Sequence, residues 1–193
     1  MTDRRENRTV SIYIVASPAV SDDRLRKTIE DHSIPAVLLE AERPTDIIER
    51  IQQAGCAVIT PPGTREPHDG LHLENDVDLF SKVRREFSDL TVGYGGVSTR
   101  HDAMVATEAG ADYVGFGRLV GDTPPLPLEL RVDLCRWWQD MMQTPCVAKA
   151  EDLETAATLS RAGADFVAVG DWAWAEADFN SVLQAVALRG PAQ

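Results

Sequence analysis

A near-repeat of eight residues most strongly limits the fold of this chain. Residues 110–117 spell GADYVGFG and residues 163–170 spell GADFVAVG, with the two leading glycines 53 positions apart. Each copy follows an Ala-rich polar stretch typical of a helix, and Gly supplies the left-handed residue that ends one. A weaker copy spans residues 45–60, where Gly55 stands 55 positions before Gly110. Helix, glycine turn and buried strand therefore recur as one unit, which favours a fold built from equal βα pieces.

Short apolar runs that are typical of buried strands occur eight times along the chain. They span residues 11–16, 35–40, 56–60, 70–74, 90–95, 112–117, 145–150 and 165–170. Helical periodicity predicts helices near residues 22–32, 44–54, 76–87, 100–109, 126–142, 152–162 and 176–188. The connection over residues 61–69 is short and rich in proline, so the third helix is expected to be short or absent.

Alternating strands and helices predict right-handed βαβ units and a parallel sheet. Eight strands favour a single compact (β/α)8 barrel, a TIM barrel, over residues 11–190, with a flexible segment over residues 1–10. An open sheet of five or six strands is the alternative. In either fold a functional site lies at the carboxyl ends of the strands.

Composition excludes several classes of partner. The formal net charge of −12 argues against nucleic acid and anionic membranes, which attract basic surfaces. No apolar run approaches the roughly 18 residues of a membrane helix, and no signal peptide is recognisable. The three cysteines are widely spaced and odd in number, so reduced thiols and a cytoplasmic location are expected.

Three segments together resemble the thiamine phosphate synthase family and the related thiazole tautomerases. They are DGLHLEND at 69–76, GADYVGFG at 110–117, and the run from Pro145 to Gly170, and the likeness is best over residues 69–172. The resemblance implies a compact (β/α)8 barrel. It also implies a transferase of thiamine biosynthesis that joins a pyrimidine methyl diphosphate to a thiazole phosphate with the help of Mg²⁺.

The chain departs from the family pattern at several strand ends. Where the family has a Gln-x-Arg-x-Lys run that grips diphosphate, this chain has Leu38, Glu40 and Glu42. The family's Asn-Asp after strand three is replaced by a sequence beginning with Pro61, and only Thr123 stands near the place of a family lysine. The active site is therefore expected to be degenerate.

Two further strand ends replace groups that hold phosphate or transfer protons in the family. The phosphate-cupping positions after strands seven and eight are Ala150-Glu151 and Gly170-Asp171. The tautomerase histidine after strand six is Arg118. The fourth strand's histidine is matched by His72, and Asp76 or Asp78 are weak candidates for a metal ligand.

A small anionic molecule is the expected ligand, because two cations stand at adjacent strand ends. Arg118 and Lys149 are the main candidates, with Asp171 one strand further along. The other candidates are strand-end glycines, an aromatic lid and the matched histidine: Gly95, Gly96, Gly117, Gly170, Trp172 and His72. No resident metal is assigned, and Mg²⁺ is expected only if synthase activity is retained.

Three functions stay open from the sequence. The chain is a thiamine phosphate synthase, a divergent small-anion-binding barrel enzyme, or a noncatalytic ligand-binding or regulatory homologue. A barrel mouth without a pocket favours the last. The cluster of Trp137, Trp138, Met141 and Met142 on one helix further predicts a homodimer.

Overall fold

Eight parallel strands close into a barrel in the computed structural model, which describes residues 10–64, 69–121, 124–175 and 178–187. The strands pair in chain order, and the first pairs with the eighth. They are β1 Ser11–Ala16, β2 Ala36–Leu39, β3 Ala57–Thr60, β4 Gly70–Glu74, β5 Thr91–Val97, β6 Tyr113–Phe116, β7 Cys146–Ala150 and β8 Phe166–Val169. All eight predicted strands are confirmed, and the open-sheet alternative is wrong.

Helices surround the barrel within the same ranges. They are α1 Asp22–His32, α2 Thr45–Gln53, α3 Val77–Glu86, α4 Arg100–Glu108, α5 Leu128–Met141, α6 Leu153–Arg161, α7 Asp171–Ala175 and α8 Phe179–Ala187. Residues 61–64 between β3 and β4 contain no helix. Residues 65–68, which belong to the connection predicted to have a short or absent helix, lie outside the described residues. Residues 1–9 of the predicted N-terminal segment also lie outside them. In the described parts of the chain, no helix is long and apolar enough to cross a membrane.

The recurring Gly-Ala-Asp unit has a structural explanation at the amino ends of the strands. Gly110 and Gly163 have φ of 94° and 98°, the left-handed conformation that glycine tolerates best. The aspartate just before each of three even-numbered strands accepts a hydrogen bond from a backbone N–H of the preceding odd-numbered strand. The pairs are Asp69 with Val58 at 2.7 Å, Asp112 with Val92 at 2.7 Å, and Asp165 with Cys146 at 2.9 Å.

Two apolar cores lie on the two faces of the closed sheet. The larger one packs the helices against the outside of the strands. The smaller one fills the barrel interior, and its buried members are Tyr13, Val15, Leu38, Ile59, Tyr113, Leu119, Val147 and Ala168. Seven of these eight lie on strands, whereas Leu119 belongs to the segment after β6. The barrel interior is therefore completed by a residue from the strand-end loops.

The aromatic cluster proposed for association is divided between the core and the surface. Trp138 is fully buried and donates an indole hydrogen bond of 2.6 Å to the carbonyl of Thr144. Trp137 is half-buried, and the guanidinium of Arg100 lies 5.2 Å from its ring centroid. Met141 is 66% exposed. Only part of the predicted apolar patch is thus open to a partner.

Candidate functional site

The segment Arg118–Gly121, which we call the mouth segment, turns from the end of β6 into the carboxyl-terminal opening of the barrel. Leu119 is fully buried in the interior cluster. Gly115 on β6 makes room for it, since a Cβ added there would lie 3.3 Å from Leu119 Cγ and 3.2 Å from the Gly95 backbone. The side chain of Leu119 therefore packs with the strand residues that fill the barrel interior.

Glu74, at the end of β4, holds the mouth segment. Its Oε1 accepts hydrogen bonds from the backbone N–H groups of Leu119 at 2.6 Å and Val120 at 3.2 Å. Its Oε2 pairs with Arg118 Nε at 2.9 Å. The Glu74 side chain is 6% exposed, whereas that of Arg118 is 43% exposed. The carboxylate is therefore almost fully enclosed, whereas its arginine partner is partly open to solvent.

The environment of Glu74 favours its ionised form. Burial by itself would raise the pKa of this carboxyl, but hydrogen bonding and charge from His72 lower it, as do the N–H groups of Leu119 and Val120. The net result is a pKa below the usual value for glutamate. Glu74 is consequently a carboxylate at neutral pH, although it is almost fully buried.

A hydrogen-bonded chain runs from Glu74 into the barrel. His72 Nε2 lies 3.3 Å from Glu74 Oε1, His72 Nδ1 lies 2.9 Å from the Tyr113 hydroxyl, and that hydroxyl lies 2.8 Å from the Tyr13 hydroxyl. Because a carboxylate only accepts, His72 Nε2 is the donor in its contact with Glu74. Burial raises the pKa of both tyrosines well above the usual value, so both stay neutral donors.

The glycines of β5 create the room for this chain. A Cβ on Gly93 would lie 2.0 Å from the Tyr113 ring, and one on Gly95 would lie 2.6 Å from His72 Nε2. Gly96 has φ of 77°, and a Cβ there would lie 2.1 Å from the side-chain oxygen of Asn75. The glycine-rich end of β5, whose Gly95 and Gly96 were predicted as site residues, thus makes room for the protein's own side chains.

Two more charged residues from other strand ends contact the mouth segment. Glu40, after β2, accepts a hydrogen bond of 2.8 Å from the backbone N–H of Gly121. Lys149, on β7, donates one of 2.9 Å from Nζ to the carbonyl of Leu119. Together with Glu74, three charged side chains from three strands fasten one short segment across the barrel opening.

The glycines next to these residues have defined positions. Gly117 has φ of 81° and exchanges two hydrogen bonds of 2.8 Å with β5, through the carbonyl of Val97 and the N–H of Gly96. A Cβ on Gly170 would lie 4.0 Å from Lys149 Cε. Gly117 therefore sets the direction in which the chain enters the mouth segment, and Gly170 lies beside the lysine stem.

A separate cleft of about 270 Å³ opens beside the mouth, between the β1–α1 loop and α7. Its lining residues are Ala19, Val20, Ser21, Arg24, Asp171 and Trp174. The guanidinium of Arg24 lies 5.7 Å from the Trp174 ring centroid and donates to the Trp174 carbonyl. Asp171 is exposed at the start of α7 and is the one predicted site residue that lines this cleft.

Trp172, which was predicted as an aromatic lid, contacts the end of β7 and the outer core. Its indole N–H donates a hydrogen bond of 2.6 Å to the carbonyl of Ala150, and its ring packs on the outer core. Glu151 forms a two-point ion pair with Arg131 on α5, with N···O distances of 2.6 and 2.9 Å. Glu151 thus does not pair with Lys149.

Within the described ranges, the residues at the predicted metal positions do not form a magnesium site. Asp76 caps α3 by accepting the N–H of Leu79 at 2.8 Å, and Asp78 follows in the first turn of that helix. At the end of β3 stand Thr60 and Pro61, which bring no carboxylate. Among the described residues, no group of three or more His, Cys, Asp or Glu side chains is placed to hold a metal ion. Thr123, the other family-matched position, lies outside the described residues.

Arg118 and Lys149 were predicted to lie at the strand-end mouth, but the residues that engage them were not predicted. Glu74 and Leu119 were not among the candidates. One signal was available for Glu74, since it is the charged residue that ends the otherwise apolar strand GLHLE. The burial of Leu119 has no such signal, because an apolar residue in a loop is common at any protein surface.

Comparisons with known proteins agree with this architecture. A family model described as thiamine monophosphate synthase matches residues 64–171, which is more than half of the chain. A thiamine-phosphate synthase of Hyphomonas neptunium is 30% identical over an alignment of 224 positions that covers 97% of this chain and all of that protein. One from Rhodospirillum centenum is 39% identical over 127 residues, or 60% of this chain and 61% of the relative, so this match spans under two thirds of its length.

A solved structure gives the same fold. The thiamine phosphate pyrophosphorylase of Pyrococcus furiosus superposes with a TM-score of 0.73 at 17% identity, covering 93% of this chain and 94% of that one. The identity is low, so this likeness concerns the barrel alone. The family match and the full-length relative go further, and the chain belongs to the thiamine monophosphate synthase family.

Proposed function

We propose that this chain is a divergent thiamine phosphate synthase-like barrel that binds a small monoanionic molecule at its strand ends. In this proposal it has lost the coupling of a pyrimidine methyl diphosphate to a thiazole phosphate. The observation that carries the proposal is the filled mouth: Leu119 is fully buried in the barrel interior, where it packs among strand residues. Coupling needs two phosphorylated ligands side by side, and the mouth segment takes the central space.

The charges at the rim support the same proposal. Glu40 stands where the family has a basic run, and it is engaged with the N–H of Gly121. Asp171 is exposed at the position where the family cups a phosphate. A carboxylate ~4 Å from one phosphate charge costs ~1 kcal/mol in water and ~4 kcal/mol at an effective dielectric constant near 20. A monoanion is therefore preferred over a dianion or a diphosphate.

The metal requirement of the coupling reaction points in the same direction. Mg²⁺ needs several hard oxygen ligands, of which carboxylates are the usual ones. The carboxylate of Asp76 is used as a helix cap, and the end of β3 lacks one. We therefore propose that the chain works without Mg²⁺. The observations on Asp76 and on the end of β3 both concern residues that the structure describes.

The synthase reaction itself is the second candidate, and one specific observation favours it. The Hyphomonas neptunium relative named thiamine-phosphate synthase aligns with 97% of this chain and with its own full length. In that case the mouth segment has to leave the barrel opening before substrates enter, and the ligands of the metal have to come from residues other than those at the family positions.

A coupled assay separates the two candidates. The purified chain is incubated with the pyrimidine methyl diphosphate, the thiazole phosphate and Mg²⁺, and the thiamine phosphate and pyrophosphate formed are measured. The Rhodospirillum centenum thiamine-phosphate synthase serves as the positive control. We expect product at the level of the protein-free reaction. Turnover that depends on Mg²⁺ and approaches that of the control would overturn the proposal in favour of the synthase.

Binding of magnesium pyrophosphate gives an independent check. We expect titration calorimetry to detect weak binding or none, since the family's basic run on β2 is replaced by Leu38, Glu40 and Glu42. Micromolar affinity for magnesium pyrophosphate would contradict this expectation and would show that other residues supply the diphosphate site.

A further inference from the structure

We propose that the cleft between the β1–α1 loop and α7 binds a small free amino acid with an apolar side chain. Arg24 binds the carboxylate of this ligand, and Asp171 binds its ammonium group. The cleft lies outside the mouth segment, and its ligand carries a cation as well as an anion. The site therefore goes beyond the monoanion binding of the proposed function.

The cleft lies where two neighbouring strands of the barrel end. Its lining residues 19–21 and Arg24 come after β1 in the chain, whereas Asp171 and Trp174 come after β8. These two strands pair along the barrel wall, and the carboxyl ends of the strands are where (β/α)8 barrels place their binding sites. The volume of about 270 Å³ is below the roughly 300–1,000 Å³ of pockets for drug-sized ligands, so the cleft suits a smaller molecule.

Two opposite charges line the cleft without neutralising each other. The Arg24 guanidinium donates to the Trp174 carbonyl and lies 5.7 Å from the centroid of that ring, but it forms no ion pair with any described residue. Asp171 is exposed, and its side chain has no hydrogen-bond or ion-pair partner within the same ranges. A zwitterion satisfies both groups at once, whereas a simple anion or a simple cation meets one attractive and one repulsive charge.

The start of α1 strengthens the anion-binding side of the cleft. Ser21 is the N-cap residue, but its side chain makes no capping hydrogen bond, so it does not satisfy the N–H groups of the first turn. Such N–H groups favour an anion at the start of a helix. Asp22 in that turn is paired with Arg43 at 2.9 Å, and Asp23 does not line the cleft. A carboxylate beside Arg24 therefore meets a guanidinium and the positive end of a helix.

The wall of the cleft also contains a donor without an acceptor. Trp174 is 8% exposed, and its indole nitrogen is covered and has no hydrogen-bond partner among the described residues. A buried N–H without an acceptor is destabilising, and most such groups in proteins are paired. A ligand oxygen reaches this nitrogen only after a small movement of the ring, and that movement would satisfy the N–H. Ala19 and Val20 supply apolar lining for the side chain of the ligand.

The test uses three probes that differ by one charged group. L-valine carries both charges at neutral pH, isovalerate lacks the ammonium group, and isobutylamine lacks the carboxylate. Each probe is titrated into the isotope-labelled wild-type chain at constant ionic strength, and binding is followed through the indole N–H resonance of Trp174, which Trp174→Phe identifies. We expect a saturable shift, with L-valine bound about two- to fivefold more tightly than either other probe, the range for exposed ion pairs. The indoles of Trp138 and Trp172 donate to backbone carbonyls and should not shift.

Substitution of the two charged residues should remove one preference each. Asp171→Asn should bind L-valine and isovalerate equally, and Arg24→Gln should bind L-valine and isobutylamine equally. Arg24→Lys keeps the positive charge and should keep the preference over isobutylamine, which separates the loss of charge from a loosened cleft wall. Asp23→Asn and Lys27→Gln, on α1 but outside the lining of the cleft, are the matched controls and should bind all three probes like the wild-type chain.

Three results would overturn the amino acid site. The first is no saturable shift with L-valine, and the second is a preference for L-valine that persists unchanged in both Asp171→Asn and Arg24→Gln. The third is tightest binding of a probe with a single charge, and if that probe is isovalerate, the cleft remains a site for the monoanion of the proposed function. Coupling activity in the thiamine phosphate assay would refute the proposed function and would leave the amino acid site to be judged by these titrations alone.

Discussion

The ammonium group of Lys149 donates a hydrogen bond of 2.9 Å to the carbonyl of Leu119, thirty residues earlier in the chain. This lysine interrupts an otherwise apolar strand, and it is engaged with Leu119, the loop residue that is buried in the interior cluster. Lys149 and Arg118 therefore act on the same segment, one through a backbone carbonyl and the other through the carboxylate of Glu74.

Replacing Lys149 should loosen the mouth segment. Lys149→Met keeps most of the aliphatic stem and removes the donor, so we expect the free energy of unfolding to fall by about 1 kcal/mol. Amide hydrogen exchange at residues 118–121 should accelerate. The control is Lys82→Met, at an exposed position on α3, which should change neither quantity. Unchanged exchange in Lys149→Met would show that this hydrogen bond does not hold the segment.

Glu40 should have a similar but more local effect. Glu40→Ala removes the acceptor for the Gly121 N–H, at the far end of the mouth segment. We expect faster amide exchange at Gly121 and at Val120, with little change in melting temperature, because Gly121 is exposed. Glu42→Ala, two residues away and exposed, is the matched control. Equal exchange rates in Glu40→Ala and Glu42→Ala would show that the hydrogen bond from Gly121 to Glu40 does not protect these amides.

Stability should depend on pH through Glu74. Its pKa is lower in the folded state than in the unfolded chain, where it is about 4.3. The carboxylate therefore stabilises the fold fully above about pH 4.3, and this contribution is lost as the pH falls through the lower folded-state value. We expect the melting temperature to fall more steeply below pH 4.3 for the wild-type chain than for Glu74→Gln. Parallel curves would exclude Glu74 as a source of the acid sensitivity.

Removing the side chain that fills the mouth should be costly. Leu119→Ala leaves a cavity in the barrel interior, and such changes lower the free energy of unfolding by about 2–5 kcal/mol. Leu79→Ala is the control, since Leu79 is 41% exposed on α3 and should cost far less. Urea denaturation of both variants measures the difference. A small loss in Leu119→Ala would mean that the mouth segment detaches readily from the barrel.

Association remains a prediction that light scattering can test. The sequence predicts a homodimer, and the exposed Met141 on α5 is the part of its aromatic and Met cluster that a partner can reach most easily. We expect a dimer at tens of micromolar, and we expect Met141→Glu to shift it toward the monomer. Met104→Glu, on the neighbouring α4, tests whether the contact extends across that face. A wild-type monomer at this concentration would rule the homodimer out.

The fold was largely predictable because its signal is local and repeated. Each strand is a short apolar run, and each Gly-Ala-Asp sequence identifies the glycine at which the preceding helix ends. The helix α7, Asp171–Ala175, was not predicted, because five residues are too few to show helical periodicity and the preceding Gly170 offers no capping side chain. The predicted last helix began at residue 176, whereas α8 begins at Phe179.

The candidate site was predictable only in part, because its contacts join distant residues. Arg118 and Glu74 are 44 positions apart, and Glu40 and Gly121 are 81 apart. Strand-end positions indicated which residues share the rim but not which of them pair. A loop leucine that turns inward cannot be distinguished by pattern from one that covers the outside of a barrel.

The aspartates that precede β4, β6 and β8 also bear on the order of folding. Each joins its strand to the preceding one over a short stretch of chain, as Asp112 does with Val92 across 20 residues. Such near contacts lose little chain entropy and form early, whereas the pairing of β1 with β8 joins the most distant strands. We therefore expect two-strand units to form first and the ring to close last. Substitution of Asp112 should slow folding, whereas changes at the β1–β8 seam should mainly speed unfolding.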